Sequence, residues 1–171
     1  MMNAKVHELL NAQINKEFYS AYLYLDFSNY FEDAGLDGFA NWYKIQAQEE
    51  RDHAMLFYQY LQNEGQVVTL KAIDKPDKVF DSVLSPLEIA AEHERYVTYL
   101  INNIYHEAQL DKDYRAMKFL DWFVDEQGEE EDNADSMVSR YKLFGTDPKG
   151  LYLLDQEYAA RVYSAPSLVL D

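Results

Sequence analysis

The chain has no cysteine, only six glycines and four prolines, and 15 Lys and Arg against 31 Asp and Glu. Without cysteine there is no disulfide, no thiolate metal site and no cysteine nucleophile, so oxygen and nitrogen are the available ligand atoms. The shortage of basic residues leaves a formal net charge of −16. Such a charge repels phosphate backbones and anionic lipid and attracts cations, so no nucleic-acid partner is expected. No apolar run has the length of a signal peptide or a membrane span, and the expected location is cytoplasmic, with no membrane partner.

What is present builds a core. Apolar residues make up 48% of the chain, with 15 tyrosines, 9 phenylalanines and 2 tryptophans, far more than a disordered acidic segment carries. The 171 residues are most simply one domain, spanning residues 1–171.

The few glycines and prolines punctuate the sequence into helices. A first helix is expected over about 3–33, stopped at Gly35, and a second over about 38–64, stopped at Gly65. "SPLE" reads as a helix start, with Ser85 as N-cap, Pro86 at the first helical position and Glu88 completing a capping box. The third helix then covers about 86–110. A polar "DKD" turn leads to a fourth over about 114–144, and "TDP" opens a short fifth over about 148–162. The tail "SAPSLVLD" carries no readable signal. Between Gly65 and Ser85 about 20 residues lack helical periodicity and span up to roughly 65 Å, enough to cross a helix bundle end to end. The third helix is thereby free to run parallel to the second.

Each long helix carries one inward stripe at alternating spacings of four and three. The stripes are Leu10, Ile14, Glu17, Ala21, Tyr24, Ser28 and Phe31; Phe39, Tyr43, Gln46, Glu50, His53, Phe57 and Tyr60; Leu87, Ala90, Glu94, Val97, Ile101, Ile104 and Ala108; and Ala116, Leu120, Phe123, Gln127, Glu130, Ala134, Met137 and Tyr141. This is the pattern of an all-α four-helix bundle. Every stripe is interrupted by an acid.

A lone E-x-x-H such as Glu50 and His53 in "QEERDH" is most often a solvated helix face. Here the pair lies on an inward stripe, and the other helices break theirs with Glu17, Glu94 and the pair Gln127/Glu130. Ionised carboxylates need a compensating positive charge when buried, and no stripe holds Lys or Arg. Within each hairpin these residues sit at one level, about 21–28 Å from the turn. One Glu from a leading helix and an i, i+3 pair from a trailing helix, supplied twice, is the ligand set of a two-metal carboxylate site. Hard oxygen ligands with one imidazole suit iron(II) or manganese, with zinc as competitor. The first position has Glu17, Glu50 and His53; the second has Glu94 with Glu130 or Gln127, and Glu50 as bridge. Tyr24 either touches the site by hydrogen bond or electron transfer, or is a core tyrosine whose hydroxyl finds another partner.

Four long helices, a long crossover and a short fifth helix, with Glu17, Tyr24, "EERDH", Glu94 in "EHERY" and "WFVDEQGEEE" from Trp122, resemble a bacterial non-haem ferritin over essentially the whole chain. The resemblance implies a hollow homo-oligomeric shell of about 24 subunits. It also implies a ferroxidase centre in each subunit that oxidises iron(II) with dioxygen or hydrogen peroxide, and storage of the ferric product as a mineral. Carried over by residue, Glu17, Glu50 and His53 match the ligands of the first ferroxidase iron, and Glu94 and Glu130 those of the second, with Gln127 beside it. Glu49, Glu126 and Glu129, with Glu130 shared, match a third iron position towards the cavity. For Glu129 a solvated face is the alternative, and Glu131 and Asp132 read as solvated.

Relatives differ at particular positions. Bacterioferritins resemble this chain but repeat E-x-x-H in the fourth helix, where Gln127 and Glu130 stand here, and bind haem through a methionine where this chain has Asp52. No haem is therefore expected. Met117 and Leu120 occupy the positions of the acidic pair that lines the threefold channels of animal ferritins, which leaves the access route for iron open. Gly128, inside the fourth helix, either lets the helix distort or leaves space near the third position, or is a tolerated glycine costing up to about 1 kcal/mol relative to Ala. His7, His93 and His106 lie off the ligand stripes and read as surface histidines. Two rival functions are a diiron oxidase or peroxidase with fixed metals and a helical scaffold holding a structural divalent ion.

Overall fold

A computed structural model of the chain describes residues 2–170. Among these residues the regular structure is helical: α1 (Ala4–Asp33), α2 (Asp37–Asn63), α3 (Leu84–Leu110), α4 (Tyr114–Phe144) and α5 (Pro148–Ala159). The first three helices end in the same way. Gly35 at φ +72° and Gly65 at φ +69° take the left-handed conformation, and so does Lys112 at φ 56°. In each case the following amide closes back onto the helix, Leu36 N–H to Phe31 C=O at 2.9 Å, Gln66 N–H to Leu61 C=O at 2.8 Å and Asp113 N–H to Ala108 C=O at 2.9 Å. Orphan carbonyls at the helix ends are thereby satisfied. Asn3, Asp113 and Asp147 cap the starts of α1, α4 and α5 by accepting from backbone N–H groups.

The segment between α2 and α3 has no helix or strand and is laid along α1. The Asn11 side chain accepts from Thr69 N–H at 2.8 Å and donates to Thr69 C=O at 2.9 Å. Asn15 donates to Ala72 C=O at 2.9 Å, and His7 bonds Val67 C=O at 3.0 Å. Further on, the Phe80 ring packs edge-on against Phe27 and Tyr30 at 5.3 and 5.2 Å. The crossover thus travels from the N-terminal to the C-terminal part of α1, and α3 runs parallel to α2 as its length permits.

Two helix ends differ from expectation. α3 begins at Leu84, before Pro86, with Val83 as N-cap and no side-chain cap. The Ser85 hydroxyl is engaged by Asp81 and Ser82, and Glu88 binds Lys142 Nζ at 2.7 Å, so both members of the expected capping box have other partners. α5 ends at Ala159 rather than near Val162, which sends Arg161 and the tail along a different path.

All expected stripe residues are buried except the terminal Tyr141, which is half-buried. The apolar core is split in two. One cluster gathers Leu10, Ile14, Phe57, Ile101, Ile104 and Phe123 towards one end, and another gathers Phe27, Phe31, Phe39, Tyr43, Leu87 and Met137 towards the other. Glu17, Glu50, His53, Glu94, Gln127 and Glu130 fall between the two, buried to within 6% relative exposure. Leu120, at 0% exposure, belongs to the core and lines no channel. Gly128 needs no space, since a Cβ there meets nothing within 4 Å, and α4 continues through it.

The α5 helix docks onto the start of α2. Asp155 Oδ1 accepts from Gly38 N–H at 2.8 Å and Phe39 N–H at 3.1 Å, supplying from α5 the cap that Leu36 cannot. A Cβ on Gly38 would stand 1.7 Å from the Asp155 backbone oxygen, so glycine is what lets the two elements approach. Arg140 forks onto Glu157 at 2.6 and 2.5 Å and fastens α5 to α4.

Candidate metal centre

Three residues from α1 and α2 converge first. Glu17, Glu50 and His53 each offer a ligand atom, and these atoms lie within 4.8 Å of one another. Glu17 Oε1 accepts from Gln13 Nε2 at 2.8 Å, whereas its Oε2 is buried without a partner. An orphaned carboxylate oxygen in a core is costly unless a cation or a proton meets it. His53 presents Nδ1 to Glu50 at 3.6 Å and Nε2 to Glu126 at 3.7 Å, between the Trp122 and Phe123 rings at 5.5 and 5.8 Å.

The α3 and α4 side is tied together by hydrogen bonds. Tyr24, 1% exposed, donates its hydroxyl to Glu94. Gln127 Nε2 contacts Glu94 Oε2 at 3.2 Å and Thr98 Oγ1 at 3.3 Å, which orients Glu94 from its other side. Glu130 is reached through Gln46, whose Nε2 donates to Glu50 Oε1 at 3.1 Å and to Glu130 Oε2 at 2.8 Å. Gln46 thus holds together carboxylates from two helices. Its place on the α2 stripe, one turn before Glu50, was the available signal for that role.

Burial sets the protonation of the metal-free centre. It pushes the Glu17 carboxyl up to about 8, with the Glu50 charge adding to it. Burial, then Glu50, does the same to Glu130, again to about 8. Glu94 is raised well above the carboxylate range by burial and by the charges of Glu50 and Glu130. Glu50 behaves oppositely: burial opposes its ionisation, but the hydrogen bond and charge of His53, helped by Gln46, carry it below its ordinary value. On His53 burial disfavours the charge, yet its bonds to Glu126 and Glu50 hold it protonated well above the usual imidazole range. Near neutral pH the centre is therefore a Glu50–His53 ion pair surrounded by protonated carboxyls. Among the described residues no Lys or Arg is buried, so these protons are the positive charge that a metal cation replaces.

The residues matched to a third position face away from the bundle axis. Glu126 is half-buried beside His53, and Glu129 is exposed. With Glu49, His53 and Glu130 they line a cavity of about 270 Å³ closed on its other side by Arg161 and Ser164–Ser167. Glu49 is bound by Arg161 Nη2 at 2.5 Å. Asp52 accepts from Tyr163 O–H at 2.5 Å. The tail, unreadable in sequence, thus runs over the centre's flank.

His93 departs from the surface reading. It is half-buried, 2.7 Å from Ser20 Oγ and edge-on to Tyr24 at 5.9 Å, and burial pushes its imidazole down to about 4. It backs the centre beneath a cavity of about 520 Å³ lined in part by Lys16, Lys78, Glu92 and Tyr96. His7 is also half-buried, whereas His106 is exposed.

A four-helix bundle with a lengthwise crossover and a buried carboxylate and histidine layer from all four long helices defines the ferritin-like class. Residues 7–144 match the family described as ferritin-like domain. The chain belongs to the ferritin family, and family and fold support iron storage. It is 40% identical over 156 residues to the bacterial non-heme ferritin of Campylobacter jejuni, covering 91% of this chain and 93% of that protein. To the bacterial non-heme ferritin of Staphylococcus haemolyticus it is 37% identical over 163 residues, covering 95% and 98%. Among solved structures, a novel open pore ferritin from the hyperthermophilic archaeon Archaeoglobus fulgidus superposes with TM-score 0.92 at 41% identity, covering 95% of this chain and 100% of that one. A closed form of the same ferritin, engineered by site-directed mutagenesis, gives TM-score 0.93 at 41% identity, covering 96% and 100%. Among the described residues no helix is long and apolar enough to cross a membrane.

Proposed function

We propose that the chain is the subunit of a cytoplasmic iron-storage shell of about 24 copies, and that it oxidises iron(II) at a pair of positions inside its own bundle before the ferric product is deposited as mineral. The observation that carries this is the buried layer itself. Four glutamates and a histidine from four helices, with an orphaned Glu17 oxygen and, among the described residues, no buried Lys or Arg, form a layer in which a cation can take the place of the carboxyl protons.

Glu17, Glu50 and His53 hold the first iron(II). Glu94 and Glu130 hold the second, with Glu50 between the two and Gln127 orienting Glu94. Glu49, Glu126 and Glu129, with Glu130 shared, serve a third iron towards the cavity. Each iron(II) gives up one electron, so two together reduce dioxygen with two protons to hydrogen peroxide, or hydrogen peroxide with two protons to water. The protein contributes proximity of the two metals and a dry, carboxylate-rich surround that favours the higher charge of iron(III). Tyr24, donating to Glu94, keeps that carboxylate turned into the centre.

The test is to add many equivalents of iron(II) aerobically to the metal-free protein while following absorbance and particle size. Storage requires a particle of about 480 kDa that keeps hundreds of ferric ions in solution. Turnover with only two irons retained per subunit would instead indicate an oxidase with fixed metals, and oxidation no faster than in buffer would leave a scaffold.

A further inference from the structure

Arg161 lies beyond the end of α5, yet its guanidinium reaches Trp42, Gln46 and Glu49 of α2 beside the centre. Its guanidinium stacks on the Trp42 ring at 4.1 Å. Nη1 donates to Trp42 C=O at 3.2 Å and to Gln46 Oε1 at 2.9 Å, and Nη2 donates to Glu49 Oε2 at 2.5 Å. Arg161 and Glu49 are each only 16% exposed. The planar fork therefore does two things at once. It neutralises Glu49, and it fixes the Gln46 carbonyl so that the amide nitrogen faces Glu50 and Glu130.

The segment bearing Arg161 is pinned beyond it. Tyr163 O–H donates to Asp52, Trp122 Nε1 donates to Ser167 Oγ at 2.8 Å, and Gln59 donates to Leu170 C=O at 3.2 Å. These contacts make the tail a strap along α2 and α4. Beneath it lies the cavity that Glu49, His53, Glu126, Glu129 and Glu130 line, and Arg161 supplies a guanidinium to its lining.

We propose that Arg161 is a positioning residue that stands in for a cation at Glu49, so that the C-terminal strap sets how many metal ions each centre holds. The inference rests on the metal-centre reading of the preceding section. A metal ion reaches full coordination in the third position only by displacing Arg161 from Glu49, which also releases Gln46 and loosens the strap. The first two positions, which use Glu17, Glu50, His53, Glu94 and Glu130, fill without that displacement. The third position then becomes the weak, exchangeable one.

The probe is zinc(II), which carries no redox chemistry, titrated calorimetrically into the metal-free assembled protein. Arg161→Gln is expected to bind about one additional zinc ion per subunit at concentrations that leave the third position of the parent empty. Adding Glu49→Gln to that variant removes the additional ion, and Arg161→Lys, which keeps the positive charge, returns the count towards that of the parent. Equal counts for the parent and Arg161→Gln overturn the role of Arg161. A parent that binds no zinc at all defeats the metal-centre reading instead, and the inference falls with it. Hydrogen exchange of the unaltered protein decides the matter should Arg161→Gln fail to assemble. Amides of residues 160–170 must exchange faster once zinc is raised past the first two positions, and unchanged or slower exchange there overturns the proposal.

Discussion

Gln46 Nε2 donates to Glu130 Oε2 at 2.8 Å, joining α2 to α4 across the centre. The same amide donates to Glu50 Oε1 at 3.1 Å, so one neutral side chain restrains two carboxyl groups from different helices. Gln46→Leu keeps the volume and removes both bonds. Loss of such an orienting partner typically costs 10–100-fold in metal affinity, and about a tenfold loss is expected at the position using Glu130. Competition titration with a chromogenic chelator measures it, and unchanged affinity would remove Gln46 from the site.

Removing ligands themselves has a larger effect. Glu50→Ala combined with His53→Ala takes away the bridge and the imidazole, and the fast phase of iron(II) oxidation should disappear, a loss of at least about 100-fold. Both residues lie between the two apolar clusters, so the helices keep their packing and light scattering should report an assembled particle of unchanged size. An unaltered initial rate would mean that the chemistry resides elsewhere.

Metal binding must depend on pH in a stated direction. Glu17 and Glu130 hold protons up to about pH 8, and Glu94 and His53 hold theirs as well, so each incoming dication displaces protons. Affinity therefore rises with pH. With one net proton released per ion, zinc should bind about 100-fold more weakly at pH 6 than at pH 8. Calorimetry in two buffers of different ionisation enthalpy counts the protons directly, and a pH-independent affinity would contradict the buried, protonated carboxyls.

The same shifts govern the metal-free protein. A carboxyl raised from 4.5 to about 8 favours the fold fully below the unfolded value, and that contribution is lost as pH climbs towards the folded one. The melting temperature of the metal-free protein should thus fall between pH 5 and pH 8, and saturating zinc should flatten the dependence. A metal-free melting temperature that rises over this interval would be the opposite sign.

Gly38→Ala tests the docking of α5. Its Cβ would collide with the Asp155 backbone oxygen at 1.7 Å, and backbone yields only if the whole helix moves. A destabilisation of about 1–3 kcal/mol is expected, with protease cleavage appearing after residue 145 while α1 to α4 stay protected. Wild-type resistance to protease would show that α5 tolerates the shift.

The local periodicity of the sequence determined a great deal here. A helix repeats every 3.6 residues, so which side chains share a face is a property of spacing alone, and that spacing put Glu17, Glu50, His53, Glu94, Gln127 and Glu130 on inward faces before any packing was known. Glycines at Gly35 and Gly65 and the turns "DKD" and "TDP" marked helix ends because turn and cap chemistry acts over a few residues. The start of α3 escaped the same reasoning because Asp81 and Lys142 compete for Ser85 and Glu88, and such competition is decided by what lies nearby in space. The tertiary structure alone seated Arg161 on Gln46 and Glu49, partners 115 and 112 residues away in sequence. It alone turned Asp155 into the cap of α2 and drew the tail over the centre. No periodicity encodes those contacts, since they depend on how α5 docks against α2 and on the direction in which the last residues then leave.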